Sequence, residues 1–291
     1  MAGNIQLVII DPQNSFCRQV PPEERQTLHD GELPVPGAWD DIQRVARLID
    51  RLGDRIEAIH VTLDSHHLLH IAHPVWFQDS AGRHPEPFTI MREEGGRIIG
   101  SRDSGGGNLQ DAGEFTTTHE RFRGRTVAYL RELAAGGRYP HCIWPPHCLI
   151  GTPGHNVVAP LMQSLLGWCR GRPRTVNFAA KGSNIFAEHF SAVRAEVPDP
   201  DDPQTQLNTA LLDTWRRAGE ILLAGEAGSH CLANTVGDAA AELPHDEFLR
   251  KCVLLLDGTS PVPGFDKYQD EFISRMTARG MHTSTCADYL G

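Results

Sequence analysis

A chain of 291 residues with 40% hydrophobic and 22% charged side chains has the composition of an ordinary globular protein, and its length allows one large domain or two small ones. Its 27 basic against 37 acidic residues leave a formal charge of −10. That balance argues against nucleic acid and against an anionic membrane as partner, since both would repel the chain.

No apolar run approaches the ~20 residues needed to span a bilayer. The opening MAGNIQLVIID enters a strand-like run at once and leaves no room for a signal peptide. Seven cysteines, an odd number without framework spacing, suit a reducing compartment. A cytoplasmic protein is expected.

In chain order, five short apolar runs read as buried parallel strands: IQLVII (5–10), IEAIHVTL (56–63), RTVNFAA (174–180), EILLAG (220–225) and CVLLLD (252–257). Helical patterns lie between them. Ile42, Val45, Leu48, Ile49 and Leu52 keep one face through 40–52. After Gly154, Val157, Leu161 and Leu165 do the same with Val158 and Met162, provided Pro160 falls in a first turn. Strands alternating with helices predict an α/β fold, a doubly wound, mainly parallel sheet with helices on both faces. Residues 1–291 read as a single domain. The segment at about 80–140 is rich in glycine and charge, then helical in TTTHERFRGRTVAYLRELAAGG. It reads as an insertion or lid carrying a flexible surface loop, because it shows no core-forming alternation and no phosphate-loop pattern.

Ligands in such sheets sit beyond the carboxyl ends of the strands. Asp11 follows the first predicted strand, Asp64 and His66 the second, Lys181 the third and Cys231 the fourth. A free cysteine is most often a small core residue. The glycine-bearing turn before Cys231, in LLAGEAGSHCLAN, instead predicts a sulfur at a helix N-terminus, where orphan amides and the macrodipole favour a thiolate. Backbone N–H groups of the same turn could form an oxyanion hole. Cys17, Cys142, Cys148, Cys169, Cys252 and Cys286 have no such setting and read as structural. Asp11 could accept the thiol proton and Lys181 could balance the charge. Taken singly, they also read as a turn aspartate before Pro12 and a solvated lysine.

The stretch HVTLDSHHLLHIAHP (60–74) holds five of the fifteen histidines. Asp64 and His66, at i and i+2 in extended backbone, share one side of the strand and make a half-site for Zn²⁺ or a similar divalent ion. His147, on the Pro-braced loop CIWPPHCLIGTPG, could be a third ligand. A histidine-rich surface turn is the alternative.

These residues resemble motifs of the isochorismatase-like cysteine hydrolases, and most of all the nicotinamidases. IIDPQNSFC is similar to D-x-Q-x-D-F, with Ser15 where an acid is usual. DSHHLLHIAHP is similar to D-W-H-P-x-x-H-I-S-F, with Ser65 in place of the aromatic. WPPHCLIGTPG matches W-P-x-H-C-x-x-G-T-x-G at every fixed position, KGSN (181–184) supplies the lysine, and GEAGSHC is similar to G-x-A-T-D-x-C, with Glu226 at a usually apolar place. Together the motifs cover residues 5 to about 260.

The resemblance implies a catalytic triad of Asp11, Lys181 and Cys231 and an oxyanion hole from the amides of Ala227 and Cys231, with a cis peptide before Ala227. It implies apolar walls from Phe16 and Trp144 for a flat ring. It also implies a divalent metal, Zn²⁺ foremost with Fe²⁺ or Mn²⁺ as alternatives, held by Asp64, His66 and His147. His70 fits a further ligand position by motif, ahead of His73. The implied activity is hydrolysis of nicotinamide to nicotinate and ammonia, within NAD salvage, and homo-oligomers are common among such proteins. A different small amide of the maleamate, ureido or substituted pyridine type is the alternative. A non-catalytic relative that binds a metabolite or partner would be expected to lack a triad member.

Overall fold

A computed structural model describes residues 4–18, 31–103, 109–243 and 246–290. From the N-terminus the elements are β1 (Ile5–Ile10), α1 (Asn14–Cys17), α2 (Ala38–Leu52), β2 (Ile56–Asp64), β3 (Phe77–Gln78), β4 (Ile90–Glu94), β5 (Arg97–Asp103) and β6 (Leu109–Thr117). They continue as α3 (Arg123–Ala135), β7 (His141–Cys142), α4 (Ala159–Gly171), β8 (Asn177–Lys181), α5 (Thr209–Arg217), β9 (Glu220–Gly225), α6 (Cys231–Glu242), α7 (Glu247–Lys251), β10 (Cys252–Leu255), α8 (Asp266–Ala278) and β11 (His282–Ser284).

Six strands form one parallel sheet in the order β11-β10-β9-β1-β2-β8, flanked by helices. Every residue of the central β1 is buried, which is why the strand reads as a continuous apolar run rather than an alternating one. In α2 the side chains of Ile42, Val45, Leu48, Ile49 and Leu52 are buried at helical spacing, each contributing about 1.5–3 kcal/mol relative to exposure. Asp40 and Asp41 occupy its positive end, and Gly53 closes it. Pro160 falls in the first turn of α4, where a helix accepts it. Two strands are shorter than their apolar runs. β8 starts at Asn177, and Arg174 upstream of it lays its guanidinium over the Trp168 ring at 3.9 Å. β10 gives way to a 3₁₀ turn at Leu256.

The glycine-rich segment differs from the surface loop expected of it. It supplies β4, β5 and β6 of an antiparallel sheet ordered β3-β6-β5-β4-β7; residues 104–108 lie outside the described residues. Gly95 and Gly96 join β4 to β5 with φ of 59° and 83°, and a two-residue turn with both φ positive matches the strand twist. Ile71, Trp76, Phe77, Met91, Ile98 and Phe115 build a second apolar cluster beneath this sheet, with Trp76 stacked on Phe122 at 4.8 Å. The sequence concealed these strands because residues 109–114 of β6 are exposed on both faces, which removes the period-2 alternation.

One contact fixes how the sheet presents its chemistry. At Gly225, with φ of 104°, a Cβ would lie 2.1 Å from the Ile10 carbonyl oxygen. Only glycine lets the ends of β9 and β1 close to this distance. The Glu226 N–H then donates to the Ile10 carbonyl at 2.7 Å. The turn leading to Cys231 is thereby tied to the end of the strand that carries Asp11.

Candidate active site

Four carboxyl strand ends converge on one ammonium group. Asp64 and Lys181 are register partners at the ends of β2 and β8, Asp11 follows β1, and Cys231 opens α6 after the turn from β9. Lys181 Nζ lies 2.9 Å from Asp11 Oδ2, 3.1 Å from Asp64 Oδ1 and 3.6 Å from Cys231 Sγ, and it donates to the His189 carbonyl at 3.0 Å. Relative exposures of 0% for Asp11, 4% for Lys181 and 7% for Cys231 place the cluster out of water, where charge interactions are strongest.

Burial on its own would drive the Lys181 ammonium to lose its proton. The carboxylates of Asp11 and Asp64, with Cys231, outweigh that and hold its pKa well above the usual lysine range. Burial pushes the Asp11 carboxyl up while Lys181 pulls it down, and the net direction is upward. Burial likewise pushes the Cys231 thiol well above its ordinary range, against the pull of Lys181. That direction favours the protonated sulfur. The helix-start position favours a thiolate, and desolvation at a site this deeply buried opposes it. The cluster needs a base, and Asp11, whose Oδ2 lies 2.9 Å from Lys181 Nζ, is in side-chain hydrogen-bond contact with Cys231.

One side chain clamps that base. Thr62 Oγ1 accepts from the Asp11 N–H at 3.0 Å and donates to Asp11 Oδ1 at 2.5 Å. The clamp holds Asp11 at φ of 42°, a left-handed conformation that aspartate tolerates better than most residues. On the other side of the sulfur the Glu226–Ala227 peptide is cis. Among the described residues the N–H groups of Ala227 and Cys231 donate to no acceptor, whereas the Ala227 carbonyl takes the N–H groups of His230 and Leu232. Two buried amides without acceptors beside a sulfur are what an acyl oxyanion requires.

Asp64, His66 and His147 present ligand atoms that all lie within 4.8 Å of one another. Asp64 Oδ2 is 2.9 Å from His66 Nε2 and 3.3 Å from His147 Nε2. The opposite ring nitrogens donate to carbonyls: His66 Nδ1 to Gly182 at 3.1 Å, His147 Nδ1 to Pro145 at 2.8 Å. In the neutral rings that pairing puts the proton on Nδ1 and would leave Nε2 to a cation, as metal-ligating histidines require, while, against burial, the Asp64 carboxylate beside His66 Nε2 favours the protonated His66 ring. Opposing charge from His66 and Lys181 outweighs burial and holds the Asp64 carboxyl well below its usual range. The donor set fits a divalent cation of the zinc, iron or manganese type.

The other two histidines of this stretch differ in chemistry. His70 Nδ1 accepts the Ala72 N–H at 3.2 Å, so in the neutral ring Nε2 carries the proton. His73 Nδ1 donates to the Leu68 carbonyl at 3.1 Å, leaving an Nε2 lone pair that is buried without a partner. Burial pushes the His73 pKa down to about 3. Neither belongs to the ligand group of Asp64, His66 and His147; by tautomer His73 has the more available lone pair, although the motif favours His70. Their rings lie 5.4 Å and 4.5 Å, respectively, from that of His66.

The expected ring walls, Phe16 and Trp144, are both buried. Phe16 packs edge-on against His147 at 5.3 Å, and Trp144 against His230, the neighbour of Cys231, at 5.4 Å. The departures from the motifs find partners. Ser15 Oγ accepts the Cys148 N–H at 2.8 Å and donates to Glu32 Oε2 at 2.5 Å, so the acid comes from elsewhere in the chain. Ser65 Oγ bonds His155 Nε2 at 2.8 Å. Glu226 Oε2 accepts from the Ser260 N–H at 3.1 Å and its carboxyl meets that of Asp41. Sequence reasoning did not assign Thr62, the His189 carbonyl, or the Gln13 side chain, which accepts from the Asp64 N–H at 2.7 Å and donates to the Asp64 carbonyl at 2.8 Å. Of these only Gln13 carried a signal, as part of the first motif.

No family model matches the chain, and no curated protein matches it. Solved structures do. The yeast nicotinamidase Pnc1p bound to the inhibitor nicotinaldehyde superposes with a TM-score of 0.59 at 18% identity, covering 97% of this chain and 99% of that one. A nicotinamidase/pyrazinamidase of Acinetobacter baumanii gives 0.59 at 18%, covering 99% and 98%. The pyrazinamidase of Pyrococcus horikoshii in complex with zinc gives 0.53 at 17%, covering 97% and 99%. The fold is that of the nicotinamidases and pyrazinamidases.

Proposed function

We propose that the protein is a cysteine amidohydrolase that cleaves a primary carboxamide on a nitrogen heteroaromatic ring, nicotinamide being the reference substrate, through a thioester. The observation that carries this reading is the buried contact of one ammonium with Asp11 Oδ2 at 2.9 Å and Cys231 Sγ at 3.6 Å. Asp11 Oδ2 takes the thiol proton while Lys181 keeps the anions of the cluster balanced. The sulfur forms a bond to the amide carbon, and the N–H groups of Ala227 and Cys231 receive the oxyanion. Such a donor contributes about 10²–10³ in kcat. Asp11 returns its proton to the departing nitrogen, releasing ammonia. It then takes a proton from water, which attacks the thioester and frees the acid and the thiol.

Asp64, His66 and His147 would hold the cation, with His73 as a further donor. The bound ion would supply an anchor for a ring nitrogen, directly or through water, which orients the ring rather than creating the nucleophile. Phe16 and Trp144 would flank that ring. The decisive experiment is ammonia release from nicotinamide by the metal-loaded protein, its chelated form and Cys231→Ala. Turnover that chelation depresses and Cys231→Ala abolishes is expected. Turnover that survives in folded Cys231→Ala would refute the assignment of the nucleophile.

A further inference from the structure

We infer that the acyl group of the preferred substrate extends beyond a single ring into an apolar pocket next to the nucleophile. The inference rests on the amidase reading above. Among the described residues a pocket of about 500 Å³ is lined by chain neighbours of the cluster, a size that takes ligands well beyond one heteroaromatic carboxamide (~300–1,000 Å³). It begins at Phe190 and His230. Phe190 follows His189, whose carbonyl holds Lys181, and His230 precedes Cys231. Trp144 links the two regions, its ring lying 5.4 Å from His230, 6.3 Å from Phe190, 6.1 Å from Phe265 and 5.8 Å from Phe88. The pocket therefore begins one residue along the chain from the carbonyl that holds Lys181 and from the nucleophilic sulfur.

Its outer wall comes from two parts of the chain. The antiparallel sheet gives Phe88, Ile90 and Leu109, and the approach to α8 gives Pro263 and Phe265. Phe88 is 40% exposed and Leu109 58% exposed, so apolar surface faces water until something covers it. Among the described residues no carboxylate lines the pocket, and Arg102 is the only Lys or Arg there. This lining selects an apolar aryl or alkyl extension, neutral or anionic at its tip, and disfavours a cationic one. A short, wholly polar amide would leave the wall uncovered.

The test compares nicotinamide, benzamide, 3-phenylbenzamide and 4-phenylbenzamide by kcat/KM for ammonia release, and their Kd values on metal-loaded Cys231→Ala by calorimetry. At least one phenylbenzamide should exceed benzamide at least about tenfold in both measurements, as burial of added apolar groups in a fitted pocket allows. Leu109→Asp and Phe88→Asp, both at exposed positions, should lower that ratio about tenfold. Hydrolysis with no gain from the phenyl group, in rate or in binding, would overturn the extended pocket while the amidase reading stands. Tighter binding of a phenylbenzamide with no hydrolysis of any amide would overturn the amidase reading while the pocket stands.

Discussion

Lys181 and Asp64 are register partners on neighbouring strands, and the lysine Nζ donates to Asp64 Oδ1 at 3.1 Å while Asp64 Oδ2 faces His66 and His147. One carboxylate thus belongs both to the thiol cluster and to the histidine cluster. Removing it should cost more than removing a ligand that serves one cluster. Loss of one member of a buried charge group costs about 3–5 kcal/mol, and Asp11 remains to pair Lys181. Asp64→Ala should therefore lose about 3 kcal/mol of stability and His147→Ala distinctly less, measured by denaturant unfolding of the chelated proteins. Equal losses would mean that the Lys181 contact contributes nothing.

The two remaining histidines separate by tautomer. His73 offers a buried Nε2 lone pair, whereas the Ala72 N–H occupies His70 Nδ1 and puts the proton on Nε2. His73→Ala is expected to weaken Zn²⁺ affinity by about 10–100-fold, the range seen for supporting groups of metal sites. His70→Ala should leave it within a few-fold. Competition with a chromophoric chelator reads both, and the reverse order would contradict the tautomer assignment.

Thr62 offers a test of the base. Its hydroxyl donates to Asp11 Oδ1 at 2.5 Å, and a donor to the ionised form lowers a carboxyl pKa. Burial already pushes Asp11 up, so Thr62→Val should raise it further. Since Asp11 must be ionised to accept the thiol proton, the acid limb of kcat/KM should move to higher pH by up to about one unit, the worth of one hydrogen bond. An unmoved limb would mean that it reports another group.

Glu226 makes a stability prediction of opposite character. Burial, then the neighbouring Asp41 carboxylate, push its pKa well above the ordinary range, against the Ser260 N–H. The folded protein keeps this proton after the unfolded chain has lost it. Stability is then fully present below the unfolded pKa and falls as pH rises toward the folded one, by up to ~1.4 kcal/mol per pH unit. Glu226→Gln retains the amide shape without the proton. Its stability should gain on the parent protein steadily above the ordinary glutamate range, whereas parallel stability curves would show that Glu226 is ionised in the fold.

Asp11, Asp64, Lys181 and Cys231 were legible because each follows an apolar run, and a parallel sheet brings carboxyl strand ends to one edge. The linear code was silent wherever a contact spans the chain. Thr62 and Gln13 clamp groups 51 residues away, and nothing local distinguishes them from other buried polar residues. The antiparallel sheet was hidden by exposed residues on both faces of β6. The choice between His70 and His73 rests on which carbonyl or amide each Nδ1 meets, and no spacing rule contains that.

Trapping the covalent intermediate tests the central claim most directly. Metal-loaded protein should be mixed with nicotinamide, acid-quenched within milliseconds and digested for mass spectrometry. The expected result is a nicotinoyl mass increment on the peptide carrying Cys231, absent in Cys231→Ala and lost on hydroxylamine treatment. Ammonia release at full rate with no acyl group on that peptide at any quench time, together with retained turnover in Cys231→Ala, would contradict it.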